Sequence, residues 1–253
     1  MRTLARAIAV AVLAVPALAG PPLVCHPWIA NDATPPAGRT WLGPDGAVAG
    51  DPDIVKALDL ASETLVRMDI VQRVLAARGA KASGFVDALA ERVKRLEDAT
   101  RGEAAPSDAR RTLARARFDH ALASATAHYL GGERASAEEE GASVARLKTA
   151  ADALEADAAA RLAVARATTP LMRTGTREEH ARAFVAAFDL ASTMPEGEAR
   201  SRLRAVLAWD LEHLEAYLLD GEIRGSGATP SAETRLARLR SIAAAQAAGG
   251  DAK

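Results

Sequence analysis

The sequence predicts an all-α protein in which antiparallel helical hairpins form an irregular bundle or a divergent helical-repeat array. From Asp51 onward, apolar residues recur at spacings of three and four, the period of one helix face. No segment shows the alternation and β-branched enrichment that are typical of strands. Short turns containing glycine or proline separate long neighbouring helices, and such turns favour antiparallel packing.

The apolar stripes and their stop signals place eight helices in chain order. Asp51 is a suitable N-cap, and Pro52 fits the first helical turn. The polar residues 62–64 either end the first helix or lie on the surface of a helix that continues, and Gly79 is placed to end the second helix. Thr176 begins a Thr-x-x-Glu capping box ahead of a later helix. The predicted helices span residues 51–61, 65–78, 83–100, 106–130, 135–167, 176–194, 196–219 and 229–248.

The segment 135–167 is predicted to be the longest single helix. An apolar residue recurs along it every three or four positions, which is typical of a coiled-coil-like seam. A residue that precedes proline is pushed out of the helical region, so Thr169 should lie beyond the end of this helix. The seam consists of Val144, Leu147, Ala151, Leu154, Ala158 and either Leu162 or Arg161.

The N-terminus has the three parts of a secretory signal peptide. Arg2 and Arg6 form a basic region, and residues 7–15 form an uncharged run too short to span a bilayer of about 30 Å. Ala19 supplies the small residue that a signal peptidase needs, so cleavage is expected after it. The leader, residues 1–19, therefore predicts export to the periplasm or to the outside of the cell.

The rest of the chain divides into an arm, a helical domain and a tail. Residues 20–50 are rich in proline and glycine, and we expect an extended arm whose Trp28 and Trp41 pack against the helices. Residues 51–248 form the helical domain, and residues 249–253 form a frayed tail. No segment after the leader offers about 20 consecutive apolar residues, so no transmembrane segment is expected.

Composition and motifs exclude several classes of function. Lys and Arg number 32 against 33 Asp and Glu, so the chain lacks the basic excess of nucleic-acid-binding proteins. The sequence contains no Gly-x-Ser-x-Gly elbow, no phosphate-binding Gly-Lys-Ser/Thr loop and no His-Glu-x-x-His helix. These absences leave an enzymatic activity without a sequence argument and favour a non-enzymatic binding protein.

Cys25 and His26 are the candidate metal ligands, and they lie in the run P-P-L-V-C-H-P-W. A thiolate and an imidazole side by side suit copper, zinc or a haem iron. A structural zinc site needs four such ligands, however, and c-type haem attachment needs Cys-x-x-Cys-His. Cys25 is also the only cysteine, so a homodimer through an intermolecular disulfide and simple local packing are alternatives. Val24 stands where a lipoprotein needs a small residue, which disfavours lipidation of Cys25.

Two resemblances accompany these features. Cys25, His26, Pro27, Trp41 and the run Leu-Val-Arg-Met at 65–68 resemble a group of uncharacterised secreted α-helical proteins from bacteria. That resemblance covers about the N-terminal third, implies no activity and favours a role for the Cys-His pair. The small and aromatic residues at 117–121 and 182–189 are similar to those of tetratricopeptide (TPR) hairpins, without the full consensus, so the array is at most TPR-like.

Three other polar patterns are interpreted as surface features. His180 lies in the first turn of a helix, next to acidic residues that suit the helix dipole. Asp210 and His213 form one carboxylate-x-x-His pair, whereas a ferritin-like di-iron site uses two such pairs and further glutamates. A salt-bridged surface with the acidic run 138–140 is expected for four arginines, Arg110, Arg111, Arg115 and Arg117.

Together these patterns predict an exported helical scaffold that binds a protein or peptide partner in the bacterial envelope. Helical arrays present extended concave surfaces, which suit that role. The alternative is a metal- or haem-handling protein that uses Cys25 and His26. The sequence identifies neither the partner nor a cofactor.

Overall fold

A computed structural model describes residues 50–101, 106–130, 136–169, 175–223 and 230–250. Within these ranges the chain forms nine α-helices and one short 3-10 helix, and no strand. The all-α prediction is therefore confirmed. The predicted leader and nearly all of the predicted arm lie outside the described residues, as do residues 251–253 of the tail.

The helices follow one another through short connections, and the 3-10 helix Gly79–Lys81 joins the second to the third. Their bounds are α1, Asp51–Leu60; α2, Thr64–Arg78; α3, Ser83–Ala99; α4, Ser107–Leu130; α5, Ala137–Asp152; α6, Ala158–Ala167; α7, Arg177–Thr193; α8, Glu198–Ile223; and α9, Ala232–Gly250.

Most predicted helix ends lie within three residues of the observed ends. The N-cap of α1 is Gly50 rather than Asp51, while Pro52 does lie in the first turn. Residues 61–63 separate α1 from α2, so the polar residues there break the helix. Helix α8 continues through Gly221, because a glycine inside a helix costs only about 1 kcal/mol, which the burial of Leu219 offsets. Gly79 ends α2 with φ of 52°, as predicted.

The prediction of one continuous helix over 135–167 is wrong. The chain leaves the helix after Asp152, and Glu155 takes a positive φ of 51°. Asp157 then starts α6, since its carboxylate accepts the Ala160 N–H at 3.0 Å and the Thr64 hydroxyl at 2.5 Å. The apolar stripe is buried except at Leu154, which is half-buried in the turn, and its other members belong to two separate helices.

The helices pack mostly against near neighbours in the chain, as in a repeat array, and one pair that is distant in the chain also packs together. From α3 onward, each helix packs against the next in the chain, and several pack against the next but one, as α2 does on α4 and α7 does on α9. Helix α2 contacts α6 as well, a pairing between distant parts of the chain that a simple linear array lacks. Consistent with this central position, α2 is buried on nearly every side over residues 64–72.

The core is made mainly of alanine, leucine, valine and isoleucine, with a few phenylalanines. Phe85, Phe118 and Phe184 are fully buried, one each on α3, α4 and α7. Helix α6 is short and contributes mainly alanines, so its neighbours approach it closely. Helix α6 has 10 residues, whereas α5 has 16 and α7 has 17, and residues of all three helices line a depression. None of the described helices combines the length and apolar character needed to cross a membrane.

Candidate functional site

Cys25 and His26 lie outside the residues that the structure describes, so the predicted metal pair stays a prediction. In the described ranges, no group of three or more His, Cys, Asp and Glu side chains is arranged to hold a metal ion. The candidate site must therefore be sought among the cavities and charged clusters of the helical stack.

The Asp-x-x-His pattern on α8 divides between the core and the surface. Asp210 is buried and accepts two hydrogen bonds from Arg166, from Nε at 2.9 Å and from Nη2 at 2.6 Å. His213 is exposed, and its ring stacks on Trp209 with centroids 4.3 Å apart. Its Nδ1 lies 2.9 Å from the Trp209 carbonyl oxygen and donates to it. The surface interpretation was right for His213 and wrong for Asp210.

His180 is the clearest error of the sequence interpretation, because it is buried rather than a surface residue. Its Nε2 lies 2.7 Å from Oε1 of Glu215, and its Nδ1 lies 2.7 Å from the carbonyl oxygen of Ala165. Burial lowers the pKa of His180, but the Glu215 hydrogen bond and charge, the Ala165 carbonyl and the Asp210 charge together raise that pKa above 6.5. Both neighbours accept hydrogen bonds, so we assign the ring as an imidazolium with both nitrogens protonated.

The sequence contains a pattern from which the burial of His180 and Glu215 can be predicted. Glu215 lies four residues after Leu211 and four before Leu219, so it interrupts a leucine face. His180 likewise lies four residues before Phe184, on the buried side of α7. A charged residue on an apolar stripe rarely stays buried without a partner. Two such residues on consecutive helices therefore predict a buried pair.

A second buried cluster holds α1, α2, α3 and α4 together. Arg67 of α2 donates from Nε to Oδ1 of Asp119 at 3.0 Å, and its Nη2 contacts the other carboxylate oxygen. Arg92 of α3 donates to the same carboxylate at 3.0 Å and also binds Asp59 of α1. Arg67 further donates to the Ala61 carbonyl at 2.9 Å, at the end of α1. Arg67 belongs to the Leu-Val-Arg-Met run, so that short motif marks a buried anchor.

Two arginines of the cluster on α4 have partners other than the acidic run 138–140. Arg117 binds Glu97 of α3 at 2.8 Å, and Arg111 lies 3.9 Å from Asp108 on its own helix. In the acidic run, Glu139 forms a capping box with Ser136, and Glu140 is buried. Glu139 therefore helps to start α5, and Glu140 lies on its packed side.

An open groove lies over α6. It has a volume of about 340 Å³, and α5, α6 and α7 each contribute to it. Val164, Ala183 and Ala186 supply its apolar part, and the small alanine side chains leave the space. Charged side chains surround this apolar part, namely Lys148, Asp152, Arg161, Glu179 and Arg182.

Two ion pairs cross the groove from helix to helix. Lys148 Nζ of α5 donates to Oε1 of Glu179 of α7 at 2.6 Å, with both side chains about one third exposed. Arg161 of α6 binds Asp152 of α5. Arg182 is exposed and has no ion-pair partner within the described ranges. The groove therefore combines an apolar floor, two satisfied ion pairs and one unpaired cation.

The second cavity is smaller, about 190 Å³, and lies where α2, α6 and α8 begin. Its carboxylates already have structural partners. Asp157 caps α6 and accepts the Thr64 hydroxyl, while Glu63 lies 3.5 Å from Arg202. This arrangement holds the helix starts together and offers a ligand less free charge than the groove does.

Neither protein-family models, nor curated proteins, nor solved structures provide a match to this chain. The interpretation of the groove therefore depends on its own geometry and charge.

Proposed function

We propose that this chain is an exported helical scaffold that binds a protein or peptide partner in the bacterial envelope, through the groove over α6. The observation that carries the proposal is the groove itself, an accessible depression of about 340 Å³ with an apolar floor and a charged rim. Ligand sites typically combine an apolar lining with a few polar groups that set orientation, and their volumes start at about 300 Å³.

The surroundings of the groove support a binding role. Arg67 and Asp119 anchor the first four helices, while His180 and Glu215 tie α7 to α8, so the groove helices belong to a body with buried polar anchors. Pre-organised surfaces lose less entropy when a flexible peptide binds. The rim is exposed enough for a partner to reach it, since the Lys148 and Glu179 side chains are 36% and 31% exposed.

A random-peptide display selection on the immobilised full chain tests the proposal. Selected peptides should bind the wild-type chain and lose binding to Ala186→Leu, because leucine fills the floor of the groove. Ala186 is only half-buried, so the added bulk enters the groove rather than the core. Ala205→Leu on α8 is the matched control, since Ala205 is exposed and does not line the groove. A selection that yields no peptide sensitive to Ala186→Leu would refute the proposal.

Export has its own test, because the leader lies outside the described residues. Expression of the full chain in a bacterial host, followed by mass measurement of the periplasmic and culture fractions, should give a chain that begins at Gly20. A full-length chain retained in the cytoplasm would contradict export.

The alternative function, metal or haem handling, remains a prediction from the adjacency of Cys25 and His26 in the sequence. The same pair leaves open a homodimer through Cys25.

A further inference from the structure

We infer that the groove over α6 recognises an acidic peptide segment, with Arg182 as the residue that binds the ligand carboxylate. This inference rests on the proposed function and names the class of peptide that the groove selects.

The charges of the groove favour a negative ligand. Lys148, Arg161 and Arg182 are positive, and Asp152 and Glu179 are negative, so the rim carries one excess positive charge. Both carboxylates are already engaged, Glu179 by Lys148 at 2.6 Å and Asp152 by Arg161. Arg182 is left without an ion-pair partner among the described residues, and its guanidinium offers a planar fork that suits a carboxylate.

A basic peptide should bind the groove less favourably than an acidic one. To pair with a peptide cation, Glu179 or Asp152 must share its carboxylate with Lys148 or Arg161, and the two neighbouring cations then repel each other. An acidic peptide breaks neither pair, because Arg182 is available from the start. The difference between the two peptides is one of charge complementarity, which governs specificity and association rate.

The position of Arg182 also defines what lies beside the bound carboxylate. Arg182, Ala183 and Ala186 lie within about one helical turn of α7 and all line the groove, with Val164 of α6 among the other lining residues. A peptide that places a carboxylate on Arg182 therefore sets its neighbouring side chain on this apolar floor. At about 340 Å³ the groove accommodates a short segment of one or two small apolar residues rather than a folded domain.

The experiment compares two synthetic peptides taken from the display selection. The first is the most enriched peptide sensitive to Ala186→Leu, and the second is the same peptide with every Asp and Glu changed to Asn and Gln. Affinities for the full wild-type chain, Arg182→Glu and Arg204→Glu are measured by fluorescence anisotropy at two salt concentrations. Arg204 is the matched control, because it is exposed on α8 and outside the groove.

We expect enrichment of Asp and Glu in the selected peptides, and binding of the acidic peptide about tenfold weaker to Arg182→Glu and unchanged for Arg204→Glu. The neutral peptide should bind more weakly than the acidic one. Higher salt should reduce this difference in affinity, because it screens the charge of Arg182. Peptides that depend on Ala186 but show no acidic enrichment, or that bind Arg182→Glu equally well, would overturn this inference and leave the proposed function standing. A selection with no peptide sensitive to Ala186→Leu would overturn both.

Discussion

Nε2 of His180 lies 2.7 Å from Oε1 of Glu215, and this contact joins α7 to α8 inside the core. The two residues are 1% and 0% exposed. The Ala165 carbonyl holds the other ring nitrogen at 2.7 Å, so three consecutive helices meet at one imidazolium. Arg166 follows Ala165 directly and binds Asp210 one to two turns before Glu215, which places two ion pairs at the same helix junction.

Replacement of His180 by alanine should destabilise the protein strongly. The Glu215 carboxylate would remain buried without its cation, and removal of one partner from a buried pair costs about 3–5 kcal/mol. Urea unfolding followed by circular dichroism measures the change in the free energy of unfolding. His213→Ala, on the exposed face of α8, is the control and should change that free energy by less than about 0.5 kcal/mol. A loss below about 1 kcal/mol for His180→Ala would show that the pair does not hold the helices together.

The stabilisation from His180 should depend on pH. Its pKa is higher in the folded chain than the ordinary 6.5, so the folded state binds the proton more tightly than the unfolded state does. The contribution is therefore fully present below about pH 6.5 and is lost as pH rises through the folded pKa. Urea unfolding of the wild-type chain and His180→Gln from pH 5 to pH 10 isolates this effect as the difference between the two.

The comparison with His180→Gln is needed because His120 acts in the opposite direction. Burial, and next the charge of Arg146, lower the pKa of His120, although Asp87 opposes them. Its contribution is present above the ordinary pKa of 6.5 and is lost as pH falls through the lowered value. Since both variants retain His120, its effect cancels in the difference. A difference that is constant with pH would contradict the assignment of His180 as an imidazolium.

Arg67→Ala should be among the most destabilising substitutions on α2. It removes one of the two cations that bind the buried Asp119, leaving only Arg92, and takes a donor away from the Ala61 carbonyl at the end of α1. We expect a loss of about 3–5 kcal/mol in the free energy of unfolding, measured by urea denaturation. Arg111→Ala is the control, because Arg111 is exposed and lies 3.9 Å from Asp108, a geometry worth about 0–1 kcal/mol. Equal losses for the two variants would contradict the anchoring role of Arg67.

The metal-handling alternative makes a separate prediction about Cys25. If Cys25 and His26 hold a metal or haem, the chain purified from the periplasm should carry it, and Cys25→Ser should lose it. Elemental analysis and the absorption spectrum provide the measurement, and non-reducing electrophoresis reports a disulfide-linked dimer in the same samples. A colourless, metal-free, monomeric chain that is unchanged by Cys25→Ser would refute both roles of the pair.

The fold was predictable because each helix carries its own local signals. Gly79 ends α2 and Pro106 precedes α4 as expected, since both depend only on neighbouring backbone. The break between α5 and α6 was missed because an apolar stripe continues across it. Asp157 decides that break through its bonds to Ala160 and to Thr64, and Thr64 lies 93 residues away in the chain.

The candidate site was less predictable than the fold. Residues of three packed helices line the groove, and no local sequence pattern around Val164, Ala183 or Ala186 predicts the space between them. The buried His180–Glu215 pair was within reach of the sequence, because both residues interrupt apolar faces. Neither helix alone predicts that His180 and Glu215 pair, because the pairing depends on how α7 and α8 pack.

The most direct test of the account is the location of a bound acidic peptide on the isotope-labelled full chain by nuclear magnetic resonance. We predict that amide shifts change around Lys148, Val164 and Arg182 when the selected peptide is added, and that α9 is unaffected. Ala186→Leu should abolish these changes. Shifts centred on another surface, such as the cavity between the starts of α2, α6 and α8, would contradict the claim that the groove over α6 is the binding site.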